Sequence, residues 1–577
     1  MTAGGWPTPH WPEGVPREIR GYEKPLFAVL DETARAFPDR VYTVFSDAGR
    51  TYAQVKDTAD RIARFLADRG IRKGDRVAIF LPNLPHYPPV YFGILKAGAV
   101  AVTCNPLYKA QELQHQLKDC GAKAVFCMDH PVFYPTTVKA IEETAVETVV
   151  ICGVKSYLPK VKALLGGLLG KIPRAASHEA GHLFFDDIVA KSRPEPPAVA
   201  IDPLEDLALI LYTGGTTGVP KGACLTHANF SYDLAAITAW IRLVHEPGAA
   251  PEPQRMAFHT YLGVLPWYHS FGMTCAMLSA CASASRLICV PDPRAGNPPF
   301  TEVLKIVQKQ RPTVMPAVPT IFMAFTNHPH LDRYDLSSLL GCFSGGAPLP
   351  PEVCRRFEEK TGAVIFEGYG LSETAPVVTV NPTNTHQRRI GTIGFPIPGT
   401  DVKIVDLVTG LQELPQGEDG ELAVCGPQVM KGYWNKPDED ERVFRTIEGR
   451  RYFLTGDIGH IDPEGYIHIT DRKKDLILVG GFNVYPREVE DVLFQHPKVA
   501  IAAVIGIPDE KSGEAVKAFI QLKPGETASE EEILAFCREK MAGYKRPKFI
   551  EFRDSLPMSN VGKVLRRLLR QEELGKK

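Results

Sequence analysis

A stretch of small and hydroxyl-bearing residues follows directly after an apolar run in the middle of the sequence. The run, residues 207–211, reads as a buried strand, and residues 212–222 then contain four glycines, three threonines and Lys221. Glycines let backbone N–H groups approach an anion closely, and threonine hydroxyls can donate as well. The composition therefore predicts a phosphate-binding loop, made of Thr213, Gly214, Gly215, Thr216, Thr217, Gly218 and Lys221.

Two common phosphate-binding motifs do not fit this loop. A Walker A loop needs a lysine that follows glycine and precedes serine or threonine, but Lys221 follows Pro220 and precedes Gly222. The dinucleotide-binding pattern GxGxxG is absent from the same stretch. The loop therefore indicates another class of nucleotide-using protein.

Six further motifs follow the loop along the chain, in the order in which a known family has them. They occupy residues 265–269, 345–348, 368–374, 452–457, 471–475 and 556–563. Together with the loop they resemble the adenylate-forming enzymes, which include acyl-CoA synthetases, luciferases and peptide-synthetase adenylation domains. The match runs from about residue 26 to residue 566, and it is closest to long-chain fatty acyl-CoA synthetases.

The resemblance implies activation of a carboxylic acid by ATP. The acid attacks the α-phosphate, pyrophosphate leaves, and CoA thiol then converts the acyl-AMP to acyl-CoA and AMP. Because negative charge builds up on phosphate oxygens, cations and fixed donors must meet it. The resemblance assigns Glu373 and Thr213 to Mg²⁺, Ser372 to the α-phosphate, and Lys563 to a bridge between carboxylate and α-phosphate.

The resemblance also implies the remaining nucleotide contacts. Tyr369 offers a flat ring for adenine, and Asp457 accepts hydrogen bonds from the ribose hydroxyls, with Arg472 as an added donor. Glu367, Ile469 and Lys474 are weaker candidates for nucleotide or acyl contacts. The other positions of this group are Gly346, Ala347, Pro348, Gly368 and Gly370.

A second conformation is implied as well. The part of the chain after residue 470 would rotate about Asp471, withdraw Lys563 and bring the Gly480-Gly481 loop to a thiol channel. Such a hinge assembles a second site for a second half-reaction.

The acyl site is expected to be neutral and apolar. Residues 258–291 contain no Asp or Glu, whereas the ammonium group of an amino-acid substrate would need a carboxylate. His269 is expected between the acyl carboxylate and the thiol, and Met273 at a tunnel gate. The candidate walls are Tyr268, Met273, Val318, Phe322, Gly345, Gly346 and Ala347.

The neutral acyl site, together with the resemblance to long-chain fatty acyl-CoA synthetases, implies a medium-to-long-chain fatty acid as substrate. A CoA ligase for short-chain or aromatic acids, a fatty acyl-AMP ligase serving a carrier protein, and a nucleotide-binding scaffold without catalysis are the alternatives. Only 14 residues follow Lys563, so we expect a separate acceptor molecule, with CoA as the default.

The elements that position these residues alternate between helix and strand. Helical periodicity in residues 52–66, 91–96 and 110–119 alternates with apolar runs at 77–81, 99–103 and 124–127. This β-α-β order predicts an α/β fold with mainly parallel strands. We expect residues 1–470 to form a large domain of αβαβα layers, with a β-rich subdomain at about 390–470. Residues 471–577 are expected to form a small, mobile α+β domain.

Composition limits the class of protein. The formal net charge of the 577 residues is −1, which argues against a nucleic-acid-binding protein. The 12 cysteines match no zinc spacing and are expected to be reduced. We find no signal peptide and expect a cytoplasmic protein; a homodimer stays open.

Residues 154–174 combine leucine pairs with only basic charges. Two interpretations compete for this segment. It is either a helix at the inner face of a membrane, where lysines meet anionic head groups, or an insertion packed on its own domain.

Overall fold

The computed structural model describes residues 8–213, 220–241, 258–480, 482–509, 511–559 and 564–575. Two large, mainly parallel sheets lie in the first 433 residues. Sheet A has eight strands and sheet B has nine. In spatial order, sheet A consists of Gly432–Tyr433, Lys221–Thr226, Leu207–Thr213, Val100–Thr103, Arg76–Phe80, Ala122–Met128, Thr148–Cys152 and Leu183–Phe184. Sheet B consists of Phe395–Pro396, Val377–Val380, Val364–Gly370, Gly341–Ser344, Val314–Ala317, Thr260–Gly263, Arg286–Cys289, Val41–Phe45 and Ala48–Thr51.

Two smaller, mainly antiparallel sheets follow. Sheet C consists of Asp401–Val405, Gly420–Cys425, Arg450–Ile461 and Phe444–Ile447, with Ile467–Arg472 on Arg450–Ile461. Sheet D consists of Phe482–Val484, Ile477–Val479, Gly513–Leu522 and Val499–Asp509, with Phe549–Phe552 parallel to Gly513–Leu522. The predicted α/β class is confirmed, with β-rich parts and a C-terminal α+β unit.

Helices connect and cover these strands. The α-helices are Ala28–Ala36, Tyr52–Asp68, Tyr87–Lys96, Ala110–Cys120, Phe133–Ala140, Lys160–Leu168, Phe185–Lys191, His227–Trp240, Ser270–Gly272, Ser279–Ala282, Thr301–Gln310, Pro319–Thr326, Pro351–Thr361, Pro437–Val443, Pro486–Phe494, Glu530–Lys540 and Arg566–Gly575. Short 3₁₀ turns occupy Val154–Tyr157, Leu331–Arg333, Ser372–Thr374 and Gly543–Lys545, and a π-helical stretch spans Met273–Leu278.

Helix Tyr87–Lys96 lies between sheets A and B. All ten of its residues are buried, and the largest apolar cluster joins it to strands of both sheets. The sequence pattern predicted a start at Tyr91, but the helix begins earlier, with Pro88 and Pro89 in its first turn. Proline is tolerated there because the first N–H groups of a helix have no intrahelical partner.

Helix Tyr52–Asp68 begins where the sequence predicts. The Thr51 hydroxyl accepts a hydrogen bond from the Gln54 N–H, and the Gln54 side chain accepts one from the Thr51 N–H. This reciprocal capping box satisfies two N–H groups that the helix itself leaves unpaired.

All 12 cysteines are free thiols.

Helix Lys160–Leu168 has no buried residue. Val161, Leu164, Leu165 and Leu168 are 68%, 64%, 51% and 76% exposed. The segment also contacts its own domain, because Lys162 Nζ lies 2.7 Å from Asp47 Oδ2 and Ile172 packs against the largest apolar cluster. In the described parts of the chain, no helix is long and apolar enough to cross a bilayer.

A buried lysine ties three helices together. The Lys96 ammonium group contacts the carboxylates of Asp31 and Asp60, and the side chains of Lys96 and Asp60 are each 4% exposed. Lys56 also contacts Asp60, with Nζ 2.6 Å from Oδ2, but Lys56 is 37% exposed.

Replacing Lys96 by methionine should lower the free energy of unfolding by about 3–5 kcal/mol, because two carboxylates lose their buried counter-ion. Lys56→Met is the matched control and should cost less than about 1 kcal/mol, because its partner stays paired and water screens the site. Urea denaturation followed by circular dichroism measures both. Equal losses for the two variants would contradict a dominant role for the buried pair.

Candidate active site

The predicted site residues meet where strands of sheets A and B end beside sheet C. Leu207–Thr213, Gly341–Ser344 and Val364–Gly370 each carry site residues at or just after their last residue. Sheet C adds Asp457 and Arg472, which face each other in a strand pair. A cavity of about 580 Å³ lies at this junction, and a second of about 1080 Å³ adjoins it.

The two cavities share part of their walls. We call the smaller one the inner cavity and the larger one the outer cavity. Both are lined by His269, Ser344, Gly346, Gly368, Tyr369, Gly370, Arg472 and Lys474. The outer cavity also contacts the C-terminal part of the chain, through Met558, Ser559 and Val564 among others.

The phosphate-binding loop begins and ends in a hairpin of sheet A. Thr213 pairs with Lys221 in this hairpin, and both line the inner cavity. Lys221 Nζ lies 2.6 Å from Glu439 Oε2 on helix Pro437–Val443. Gly214, Gly215, Thr216, Thr217 and Gly218 lie outside the described residues, so their predicted phosphate contacts stay predictions.

Glu373 sits in the 3₁₀ turn Ser372–Thr374 and its carboxylate faces the inner cavity. Tyr433 donates a hydrogen bond from Oη to Glu373 Oε1 at 2.8 Å. Burial raises the pKa of Glu373, and the hydrogen bond from Tyr433 opposes that rise. A buried carboxylate that lines the same cavity as Thr213 fits Mg²⁺, which prefers hard oxygen ligands and takes few from protein when phosphates supply others.

No group of three His, Cys, Asp or Glu able to hold a metal occurs in the described ranges. This is compatible with a magnesium site of one carboxylate, one hydroxyl and phosphate oxygens. Glu373 and Thr213 would hold the ion, which when bound would neutralise phosphate charge.

Asp457 is held by two of the predicted nucleotide residues. Tyr369 Oη donates to Asp457 Oδ2 at 2.7 Å, and Arg472 Nε lies 2.9 Å from Oδ1. An ionised carboxylate has about four lone-pair positions, so each oxygen keeps room for another donor. Asp457, its neighbour Arg472 and the Tyr369 ring are therefore fixed together before a ligand arrives.

Glu367 lies in strand Val364–Gly370, two residues before Tyr369, and lines the outer cavity. Its Oε2 accepts a hydrogen bond from the Gly391 N–H at 2.8 Å. Burial raises the pKa of Glu367 to about 7. Ile469 and Lys474 also line the outer cavity, and burial lowers the pKa of Lys474.

The glycine-rich segment after strand Gly341–Ser344 contributes backbone to both cavities. Gly345 and Gly346 line the inner cavity, and Gly346, Ala347 and Pro348 line the outer one. A Cβ atom on Gly370 would lie 1.8 Å from the Pro376 carbonyl oxygen, so only glycine allows this close approach beside Ser372.

Part of the lining of the inner cavity is apolar and uncharged, and we call this part the apolar arm. It consists of Ile237, Ile241, Tyr261, Cys275, Val314, Phe343, Val377 and Val380. His269 caps the short helix Ser270–Gly272, where its Nδ1 accepts a hydrogen bond from the Phe271 N–H at 3.3 Å. Tyr268 lines the outer cavity.

Three predicted wall residues do not line either cavity. Met273 is fully buried in the largest apolar cluster, whereas Cys275 of the same π-helical stretch lines the inner cavity. Val318 and Phe322 belong to a separate core cluster beneath helix Pro319–Thr326. Their predicted role as walls of the acyl site stays a prediction.

The hinge position joins sheet C to the C-terminal unit. Asp471 Oδ2 accepts a hydrogen bond from the Arg487 N–H at 2.8 Å, and Oδ1 lies 3.5 Å from Arg566 Nη1. Arg566 also contacts Glu490, with Nη2 2.6 Å from Oε2. Gly480 lines neither cavity, while Gly481 and Lys563 lie outside the described residues.

Several residues of the site were not predicted from the sequence. Tyr433, Glu439 and Arg442 come from a segment whose motif-like Gly-Tyr-Trp stretch, residues 432–434, was the available signal. The apolar arm draws on strands and helices far apart in sequence, and its residues look like ordinary core residues. Only the fold brings them to one cavity.

Comparison with known proteins places these features in one family. The model of the AMP-binding enzyme family matches residues 30–434, and that of the AMP-binding enzyme C-terminal domain matches residues 488–563. A long-chain-fatty-acid–CoA ligase of Bacillus subtilis is 40% identical, over 98% of this chain and 97% of the relative. One from Haemophilus influenzae is 35% identical, over 98% of both.

Solved structures agree in fold. ATP-bound MatB from Rhodopseudomonas palustris superposes with a TM-score of 0.79 at 29% identity, over 95% of this chain and 99% of that one. An anthranilate CoA ligase bound to anthranoyl-AMP gives a TM-score of 0.81 at 27% identity, over 96% and 98%. With both family models matched and relatives of this similarity over nearly their full length, the chain belongs to the AMP-binding enzyme family.

Proposed function

We propose that this protein is an AMP-forming ligase that joins a medium-to-long-chain fatty acid to CoA. The observation that carries the proposal is the apolar arm, which belongs to the same cavity as Glu373, Thr213 and Lys221. Eight uncharged residues in this part of the lining suit an alkyl chain better than the ammonium group of an amino acid. The names of the curated relatives point to the same substrate class.

In the first half-reaction the fatty carboxylate oxygen attacks the α-phosphorus of ATP. A P–O bond to the acid forms, the bond to the β-phosphate oxygen breaks, and pyrophosphate takes that electron pair. Tyr369 and Asp457 hold the adenosine, while Lys221 attracts the phosphate tail. Lys563, which follows the cavity-lining pair Met558 and Ser559, would neutralise charge between the carboxylate and the α-phosphate.

In the second half-reaction the CoA thiolate attacks the acyl carbonyl and AMP leaves. His269 lines both cavities, so it lies where a thiol from the outer cavity would reach an acyl group in the inner one. We propose that residues 471–577 turn about Asp471 between the two steps and exchange Lys563 for the Gly480-Gly481 loop. The position of Gly480 away from both cavities supports the need for such a turn.

The exposed helix Lys160–Leu168 suits contact with an anionic lipid surface. Its leucines are exposed, while Lys160, Lys171 and Arg174 flank them and no acidic residue lies within the segment 154–174. Apolar side chains enter the head-group boundary, and lysines gain about 1 kcal/mol each near anionic lipids. We propose peripheral binding through this helix; a homodimer stays a prediction.

The chain length of the acid tests the substrate assignment first. Pyrophosphate release with Mg-ATP and CoA, measured across saturated acids from C2 to C18 and benzoate, should peak at C8 or longer, with acyl-CoA as product. Activity confined to short or aromatic acids would contradict the fatty-acid assignment. Adenylate without thioester would instead indicate a carrier-protein acceptor.

The hinge makes a prediction that separates the two half-reactions. Asp471→Pro should spare acyl-AMP formation but slow thioester formation roughly 100-fold, because proline fixes φ at the pivot and misplaces the second site. Lys563→Ala should instead abolish the first step, acyl-AMP formation, while ATP binding stays nearly unchanged. Single-turnover assays of each step measure this. Equal losses of both steps in Asp471→Pro would contradict the hinge role.

Lipid contact can be tested by vesicle flotation. The triple variant Leu164→Ser, Leu165→Ser and Leu168→Ser should lose binding to anionic vesicles about tenfold or more, because three exposed apolar groups are removed. Val408→Ser with Leu411→Ser, two exposed apolar residues elsewhere, is the matched control and should bind like the parent. Equal flotation of all three proteins would contradict the assignment.

A further inference from the structure

Two cations that face the inner cavity share one carboxylate behind them. Lys221 and Arg442 both line the cavity, whereas Glu439 does not. Glu439 Oε2 lies 2.6 Å from Lys221 Nζ, and its Oε1 lies 3.1 Å from Arg442 Nη1. The carboxylate therefore holds both cations from the side away from the cavity.

The surrounding chain fixes this arrangement. Tyr433 pairs with Ala223 in sheet A, and its N–H donates to Asp440 Oδ1 at 2.8 Å, next to Glu439. The Tyr433 ring centre lies 5.4 Å from Lys221 Nζ, and its hydroxyl holds Glu373. The start of helix Pro437–Val443 is thus tied both to the phosphate-binding hairpin and to the magnesium candidate.

Lys221, Glu439 and Arg442 differ in how far water reaches their side chains. Lys221 and Glu439 are 16% and 19% exposed, so their contact is largely shielded from water, while Arg442 is 69% exposed at the rim. One carboxylate cannot neutralise two cations, so the group keeps an excess of one positive charge toward the cavity. A dianionic or trianionic ligand would compete with Glu439 for both cations.

We propose that Lys221 and Arg442 form the binding site for the pyrophosphate end of ATP, and that Glu439 is a built-in competitor that promotes release of pyrophosphate. This rests on the proposed function, since only that reaction leaves pyrophosphate here after the adenylate has formed. As the anion departs, Glu439 takes up the contacts that it vacates. No covalent bond changes in this step; only ion-pair partners are exchanged.

The proposal predicts an effect opposite in sign to that of structural damage. Glu439→Gln removes the competing charge, so Mg-pyrophosphate should bind about tenfold more tightly and inhibit turnover at about tenfold lower concentration. Arg442→Gln removes one of the cations and should weaken Mg-pyrophosphate binding by about tenfold. General disruption of the site would weaken binding in both variants.

The experiment is isothermal titration of the full-length protein with Mg-pyrophosphate, without acid or CoA. Glu441→Gln carries the same charge change on the same helix, where the side chain is exposed, and is the matched control. Thermal melting of each variant shows whether it is folded. Tighter binding by Glu439→Gln alone supports the proposal; unchanged or weaker binding overturns it, as does tighter binding of equal size in Glu441→Gln.

Failure of the proposed function would give a different result from failure of the competitor proposal. In that case the parent protein would not make acyl-AMP from any acid in the chain-length series. A parent protein that makes acyl-AMP while Glu439→Gln and Arg442→Gln bind pyrophosphate like the parent would overturn this proposal but not the proposed function. If Glu439→Gln does not fold, the Arg442→Gln titration decides, and unchanged binding there overturns the proposal.

Discussion

The constraint on which this site depends is the cost of leaving a charge unpaired away from water. Asp457 is held by Tyr369 and Arg472, Glu373 by Tyr433, and Lys221 by Glu439. A buried ion without such a partner costs several kcal/mol, so each group needs a fixed partner before the nucleotide arrives. The partners come from four different parts of the fold. The active site is therefore preorganised only when sheets A, B and C are all in place.

The same constraint reaches the C-terminal part of the chain, which we propose to move. Arg566 is surrounded by Asp471, Asp475 and Glu490, and its contact with Glu490 raises the pKa of the guanidinium. This cluster ties the last helix to the hinge residue itself. A rotation at Asp471 must therefore carry Arg566 with it or exchange its partners, which couples the hinge to the segment that follows Lys563.

Local patterns predicted the elements well. The helices Tyr52–Asp68 and Ala110–Cys120 agree with the sequence because apolar periodicity within one segment determines them. Motif residues such as Glu373, Tyr369 and Asp457 were also found, since each needs its residue type at a fixed position. The sequence did not show that Met273, Val318 and Phe322 lie in core clusters. Whether an apolar side chain faces a cavity or a core depends on the turn of a π-helical stretch and on strands far away in sequence.

The shared walls of the two cavities have a consequence for the order of events. His269, Tyr369 and Arg472 border both chambers, and Tyr369 is the ring on which adenine is expected to rest. A seated nucleotide would therefore border both chambers, with the acid on the inner side and the thiol on the outer side. The thiol could then reach the acyl-AMP while the nucleotide stays bound, so that thioester formation follows adenylation without release of the intermediate.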